Sequence, residues 1–244
     1  MNPSPIDCCQ ILPWDSEFFG LPIARLTADR LTPELAGAVD AWCHTRGIRC
    51  LYFLASSEDS QTGEIAESHG YHLADIRMTF ECQPLAHTGT PTGRLALPED
   101  LEGLCALARA NSGDSRFAFD KGFPEDASAR LYYRWMERSC LGEMASAVFV
   151  LGNPGIPLGY VTCELDQEGD GKIGLLGLAP EARGRGLAQG LLAQAIAWFQ
   201  SKECQRVSVI TQGRNLPAQR LYQRAGFLTS DVQLWYHKWF PTSL

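Results

Sequence analysis

The residues best suited to chemistry form one short stretch, Arg183-Gly184-Arg185-Gly186-Leu187-Ala188. Before it lies an apolar, glycine-punctuated run, Ile173 to Leu178, of a length that suits one buried strand. After it, Leu187, Leu191, Ala195 and Trp198 or Phe199 recur at helical spacing. A strand therefore feeds a glycine-rich turn that opens a helix. The first N–H groups of a helix have no internal partner, and the helix dipole is positive there. Glycines at 184 and 186 carry no side chain to hold a pyrophosphate away, and Arg183 and Arg185 add charge beside it. The expected ligand is a small anion.

Two familiar phosphate-binding turns do not fit. A P-loop ends in Gly-Lys-Ser/Thr, which is absent here. A dinucleotide-binding turn reads G-x-G-x-x-G, whereas here the third glycine, Gly190, comes one place late. Glu203, the nearest acid downstream, precedes the next apolar run instead of ending it, so it is badly placed for a ribose.

The chain has 244 residues, enough for one large or two small domains, and is 45% hydrophobic. A net charge of −7 with no Lys/Arg run argues against a nucleic-acid partner. The nine cysteines are scattered and include no C-x-x-C, and the five histidines have no metal-ligand spacing. Neither a disulfide framework nor a metal site is expected, and reduced thiols fit a cytoplasmic protein. The first residues lack a signal-peptide pattern, and no run approaches the length of a membrane span.

The elements that must position the turn follow from punctuation and periodicity. Residues 1–82 read as a small α/β domain. Its strands are Cys8–Leu12, Ile23–Leu26, Cys50–Leu54 and Tyr71–Cys82, and Trp14–Gly20 reads as a turn. One helix starts at Thr32-Pro33 and stops at Gly47, and a second spans Gly63–Ser68. Trp14, Phe18 and Phe19 suit core or interface, and such aromatics permit a homodimer. Residues 83–94, rich in Pro, Gly and Thr, read as a linker. A second domain, 95–244, has helices near Pro98–Asn111 and Pro124–Ser139 around a polar, aromatic loop, Ser112–Phe123. Strands follow at Ala145–Leu151 and Leu158–Leu165, then the central strand and its helix. A strand at Val207–Thr211, a helix at Asn215–Ala225 and one or two strands in Phe227–Trp239 complete it.

Over residues 95–240 this order resembles the GCN5-related N-acetyltransferases (GNATs). Arg183 to Ala188 matches that family's Gln/Arg-x-x-Gly-x-Gly/Ala turn. Asn215, Tyr222, Gly226 and Phe227 match its second pattern: an Asn, a Tyr seven residues on, then Gly-Phe. The resemblance implies an α/β fold, a mixed sheet flanked by helices. Ile65–Tyr71 echoes Leu221–Phe227, so the first domain resembles a reduced half of the same fold. Leu12–Gly20, Ser115-Arg116-Phe117 with Tyr132-Tyr133-Arg134-Trp135, and Lys172–Leu176 are similar to the bacterial TDP-fucosamine N-acetyltransferases.

The resemblance implies acetyl-CoA as co-substrate, no metal, and as partner a small-molecule acceptor, a TDP-4-amino-4,6-dideoxyhexose. Another small amine, a peptide amine and a non-catalytic acyl-CoA-binding protein remain alternatives. Leu176, Gly177 and Leu178 would pair with pantetheine amides, Gly184 to Ala188 would take the pyrophosphate, and Asn215 would bond the pantetheine arm. Tyr222 would protonate the departing thiolate: a thiol near pKa 8.5 and a phenol near 10 are not grossly mismatched. The alternative for Tyr222 is a core role. Asp75, standing where the similar enzymes carry a glutamate, would take the amine's proton, with a solvated Asp75, Glu164 and Asp166 as alternatives. Arg116 would bond a phosphate or hydroxyl and Phe117 or Tyr132 would stack on a ring, or each would pack the loop.

Overall fold

Glycine and proline set many of the element boundaries in the computed structural model, which describes residues 8–84 and 89–241. The chain forms two compact units. Unit 1 holds residues up to Arg77, Phe119–Pro124 and the chain from Val232 on; unit 2 holds Met78–Ala118 and Glu125–Asp231. The division is therefore not the sequential one expected. The break lies between Arg77 and Met78 instead of within 83–94, and two later segments join unit 1. Of the expected linker, 85–88 lie outside the described residues, while Thr92 N–H donates to Gly190 O at 3.0 Å.

Unit 1 begins with β1 (Cys9–Ile11), α1 (Pro13–Phe19), β2 (Ile23–Leu26), α2 (Pro33–Arg46), β3 (Cys50–Ser56), α3 (Ser60–Ser68) and the first half of β4 (His72–Cys82). Thr32 caps α2 as expected: its Oγ1 accepts from Leu35 N–H, Pro33 takes the first position, and Gly47 closes the helix at φ +64°. The Trp14–Gly20 stretch is a helix and not a turn. Pro13 starts it, Gly20 ends it at φ +71°, and Phe19 is buried against Phe123, with ring centroids 4.8 Å apart. Seven residues carry too little periodicity to announce a helix, and packing decides it.

Unit 2 continues with β5 (Arg94–Leu95), α4 (Leu101–Ala110), the short α5 (Arg116–Phe119), α6 (Ala127–Cys140), β6 (Ala147–Asn153), β7 (Ile156–Leu165) and β8 (Gly171–Leu178). Then come α7 (Leu187–Ser201), β9 (Val207–Gln212), α8 (Leu216–Arg224) and β10 (Leu228–Trp239). Single 3-10 turns at Pro98–Asp100 and Pro180–Ala182 precede α4 and the glycine turn. Within unit 2 the strand order is β4-β9-β8-β7-β6-β5, and within unit 1 it is β1-β2-β3-β10-β4; β4 and β10 contribute residues to both units.

The unit 2 sheet is mixed. β5 to β8 pair antiparallel, and β8 pairs parallel with β9. Successive residues of β7 point to opposite faces and meet different helices. A Cβ on Gly159 would touch Leu191 of α7, whereas Tyr160 reaches Asn111 at the end of α4. α4 and α7 thus cover opposite faces. Tyr160, Val161, Leu104, Leu191 and Phe199 belong to the core between these layers.

The echo seen in the sequence is also local geometry. Gly70 and Gly226 both adopt positive φ, +78° and +83°. Tyr71 N–H donates to Ala66 O and Phe227 N–H to Tyr222 O, each at 3.0 Å. Both are helix stops in which glycine frees the chain to turn into a strand.

Candidate active site

The glycine turn opens onto a cleft of about 560 Å³ within unit 2. Its walls include Asn111, Leu176, Gly177, Leu178, Arg183, Gly184, Gly186, Leu187, Ala188 and Asn215. Nearly all the residues expected to bind one ligand therefore share one hollow. Arg185 and Tyr222 are the exceptions: neither lines this cleft, and Arg185 lines a neighbouring hollow of about 360 Å³ with Thr92 and Gly190. Gly186, Leu187, Gln189 and Arg224 border both.

Strand pairing creates the opening. β8 and β9 pair at Gly171–Val207, Lys172–Ser208 and Ile173–Val209, and the register ends there. On its other side β8 stays with β7 to Leu178, through a bulge. Val161 pairs with Leu176 but Cys163 with Ile173, so β8 holds one extra residue. The Leu175 N–H displaced from the ladder is taken by Thr162 Oγ1 at 2.7 Å. Beyond Ile173, the edge of β8 that faced β9 can serve a ligand with main-chain groups.

At the turn, Gly184 and Gly186 sit at φ +73° and +75°. A Cβ on either would meet nothing within 4 Å, so backbone conformation, not crowding, requires glycine. The space in front of them is open. Gly186 caps α7 without a side-chain hydrogen bond, and no acid lies in the first turn. The helix therefore presents backbone N–H groups and a positive dipole end to the cleft. Arg183 is held at its rim by a 2.7 Å hydrogen bond from Nη2 to Asn111 Oδ1.

Gly177 answers a different need. Its Cβ would lie 2.5 Å from the Tyr160 hydroxyl and 2.9 Å from Asn111 Nδ2. The strand must be bare there for Tyr160 to lie across it. Asn111 and Tyr160 were missed in the sequence, because one reads as a helix end and the other as an ordinary strand residue.

Asn215 caps α8, its Oδ1 accepting from Ala218 N–H at 3.2 Å. That leaves its NH2 as the donor suited to a carbonyl in the cleft. One helical stretch on, Tyr222 is 4% exposed and packs on Phe80 and Phe227, with ring centroids 6.0 and 5.9 Å away. Burial first, and then nearby Tyr132, raises its pKa. Tyr222 therefore keeps its proton across the neutral range. Burial and Tyr132 also raise Tyr160, against the pull of Asn111 and Arg183.

The other expected site residues fall as follows. Phe117 is 6% exposed, with the Arg116 guanidinium 4.4 Å from its ring centroid. Its ring face is packed inside and not offered as a stacking platform. Tyr132 is half-buried on α6 and tilts against Trp135 at 5.3 Å. Asp75, in unit 1, is 5% exposed and accepts from Ile76 N–H at 2.8 Å, so it is not a solvated surface carboxylate. Glu164 pairs with Lys172 at 3.0 Å.

The acetyltransferase (GNAT) family model matches residues 112–227, a span that contains both motifs. The spore coat polysaccharide biosynthesis protein SpsD of Bacillus subtilis is 30% identical over 142 residues, 58% of this chain. The chain spans about half, 48%, of that relative's length. The dTDP-fucosamine acetyltransferase of Escherichia coli is 27% identical over 234 residues, 93% of this chain and 96% of its own. A GCN5-related N-acetyltransferase from Sphaerobacter thermophilus has the same fold, with a TM-score of 0.66 at 15% identity over 95% of this chain and 76% of its own. The splayed strand, the glycine turn on a helix N-terminus and the buried tyrosine after it thus all lie in the part of the chain that is similar to the GNAT acetyltransferases.

Proposed function

We propose that the protein acetylates the amino group of a nucleotide-linked amino sugar, a TDP-4-amino-4,6-dideoxyhexose. The observation that carries this reading is the extent of the similarity to dTDP-fucosamine acetyltransferase. It runs over 93% of the chain, well beyond the 112–227 span of the acetyltransferase model. An acceptor-specific part outside the shared domain is what a specialised sugar nucleotide would need.

Acetyl-CoA supplies the acyl thioester. The chain's residues have three tasks. The edge of β8 at Leu176–Leu178 bonds the pantetheine amides, and Asn215 adds its NH2. The N–H groups from Gly184 to Ala188 take the pyrophosphate, with Arg183 beside it and Arg185 and Arg224 adding charge around the turn. Tyr222 gives its proton to the departing thiolate, and Asp75 takes one from the attacking amine, so one proton enters and one leaves. Arg116 and Tyr132 are assigned to the acceptor; buried Phe117 supports Arg116 from behind. Aminolysis of a thioester calls for no redox partner.

Gly186→Val tests the turn. A β-branched residue at φ +75° is a steric outlier. Acetyl-CoA affinity should fall at least about tenfold, since the anion site loses its backbone geometry. Isothermal titration checks this; unchanged affinity would remove the turn from the binding site.

Thiol release from acetyl-CoA tests the acceptor. The panel is TDP-4-amino-4,6-dideoxygalactose, its gluco epimer, the free amino sugar, a polyamine and a lysine peptide. Turnover should be confined to the TDP-sugars. Faster turnover with the peptide or polyamine would replace the proposed acceptor and leave the acetyltransferase in place.

A further inference from the structure

We propose that His72, Asp120 and His237 form a site for one divalent transition-metal ion of the zinc type. All three lie in unit 1, on the first residue of β4, in the 119–124 segment and near the end of β10. His72 Nε2 is 3.2 Å from Asp120 Oδ2, and His237 Nδ1 is 2.5 Å from the same oxygen. All three donor atoms lie within 4.8 Å of one another. Two imidazole nitrogens and one carboxylate oxygen are a donor set that suits zinc, cobalt or nickel and not magnesium or calcium.

The surroundings are those of a built site. Asp120 is held from behind by Trp239 Nε1–H at 2.9 Å to Oδ2 and by Gly122 N–H at 2.9 Å to Oδ1. Such outer partners orient a ligating carboxylate. The His237 ring is fully buried and packs on Tyr52 and Phe123, with centroids 4.9 and 5.7 Å away. His72, by contrast, has a side chain 47% exposed, which gives an ion a way in and leaves a fourth position for water. Ligands at 2.0–2.1 Å from a tetrahedral ion stand roughly 3.3 Å apart. Asp120 therefore has to swing off its short contact with His237 while His72 closes in, both side-chain movements.

The ion takes the lone pairs of His72 Nε2 and His237 Nδ1 and of one Asp120 oxygen. Protons on those two nitrogens leave to solvent, and each ring keeps a proton on its other nitrogen. The ion would tie together three segments far apart in sequence.

The test uses the full-length protein after chelator treatment, titrated with zinc chloride by calorimetry and followed by thermal melting. Wild type should bind one equivalent tightly and melt at a higher temperature with zinc than without. His72→Ala removes the exposed ligand with little risk to folding. It should weaken the binding at least about a hundredfold and abolish the melting shift. Trp239→Phe removes the N–H that orients Asp120 and should weaken binding about tenfold. All nine cysteines remain in both variants, so zinc held by thiols would survive them. Absence of stoichiometric zinc binding in wild type, or binding undiminished in His72→Ala, overturns the proposal. The cluster is then a hydrogen-bonded anchor for Asp120 alone.

Discussion

Tyr222→Phe should lower kcat about a hundred- to a thousand-fold and leave acetyl-CoA affinity within about twofold. The ring is held by Phe80 and Phe227, contacts that phenylalanine keeps. Only the hydroxyl is lost, and with it the proton that the proposed mechanism gives to the thiolate. Because burial raises the phenol's pKa, the acid form persists to well above neutrality. The wild-type rate should therefore rise with pH as the acceptor amine loses its proton. It should show no alkaline decline below about pH 10, the ordinary tyrosine value. A kcat–pH series on both proteins, with calorimetric binding of acetyl-CoA, reads out each statement. A variant with near-normal kcat would make Tyr222 a packing residue only.

Asp100→Ala should cost about 3 kcal/mol, enough to lower the melting temperature by roughly 6–12 °C in a chain of this size. Asp100 is fully buried. It accepts from Arg94 Nη1 and Nη2 at 2.6 and 2.9 Å, from Leu97 N–H at 2.8 Å and from Gly155 N–H at 2.9 Å. One carboxylate thereby ties the start of β5, the approach to α4 and the β6–β7 turn. Alanine leaves two main-chain donors and a guanidinium without their acceptor, which is why the loss exceeds that of an exposed ion pair. Asn in the same place keeps an acceptor and should lose less.

The Arg94 hydrogen bonds, with the two N–H donors, hold the Asp100 carboxyl far below the ordinary carboxylate range. The folded pKa is thus below the unfolded one. The associated stability is present above about pH 4 and is lost as the pH falls through the folded value. Asp100→Ala should lose this acid-labile component, so the two melting curves should converge on acidification. Parallel curves down to low pH would show that the carboxylate charge contributes nothing.

Much of the site was legible in the chain because it is carried by contiguous residues. The turn at 183–188 and the Asn215–Phe227 segment encode their own backbone. Glycines permit positive φ at 184, 186 and 226, Asn215 caps the helix it precedes, and Tyr222 follows at fixed helical spacing. Local steric and capping preferences act over a few residues, so they can be read without knowing what packs on them. The same reasoning located Thr32, Pro33 and Gly47 around α2.

Other features depended on which distant residues meet. The β8 bulge exists because β7 and β8 fall out of register between Cys163 and Val161, and Thr162 supplies the acceptor that tolerates it. The link from Arg183 through Asn111 to Tyr160 joins a loop, a helix end and a strand. Phe117, polar-flanked in sequence, is buried, and Asp75 is withdrawn from solvent. The chain after Val232 joins unit 1, and His237 comes to Asp120 and His72. From the sequence alone came the fold class, the backbone of the glycine turn and the helix that carries Tyr222; only the tertiary structure decided which carboxylates, aromatics and histidines are buried and what they touch. The reason is physical: backbone preference is set by neighbours in the chain, whereas burial and pairing are set by register and packing between segments that no local pattern connects.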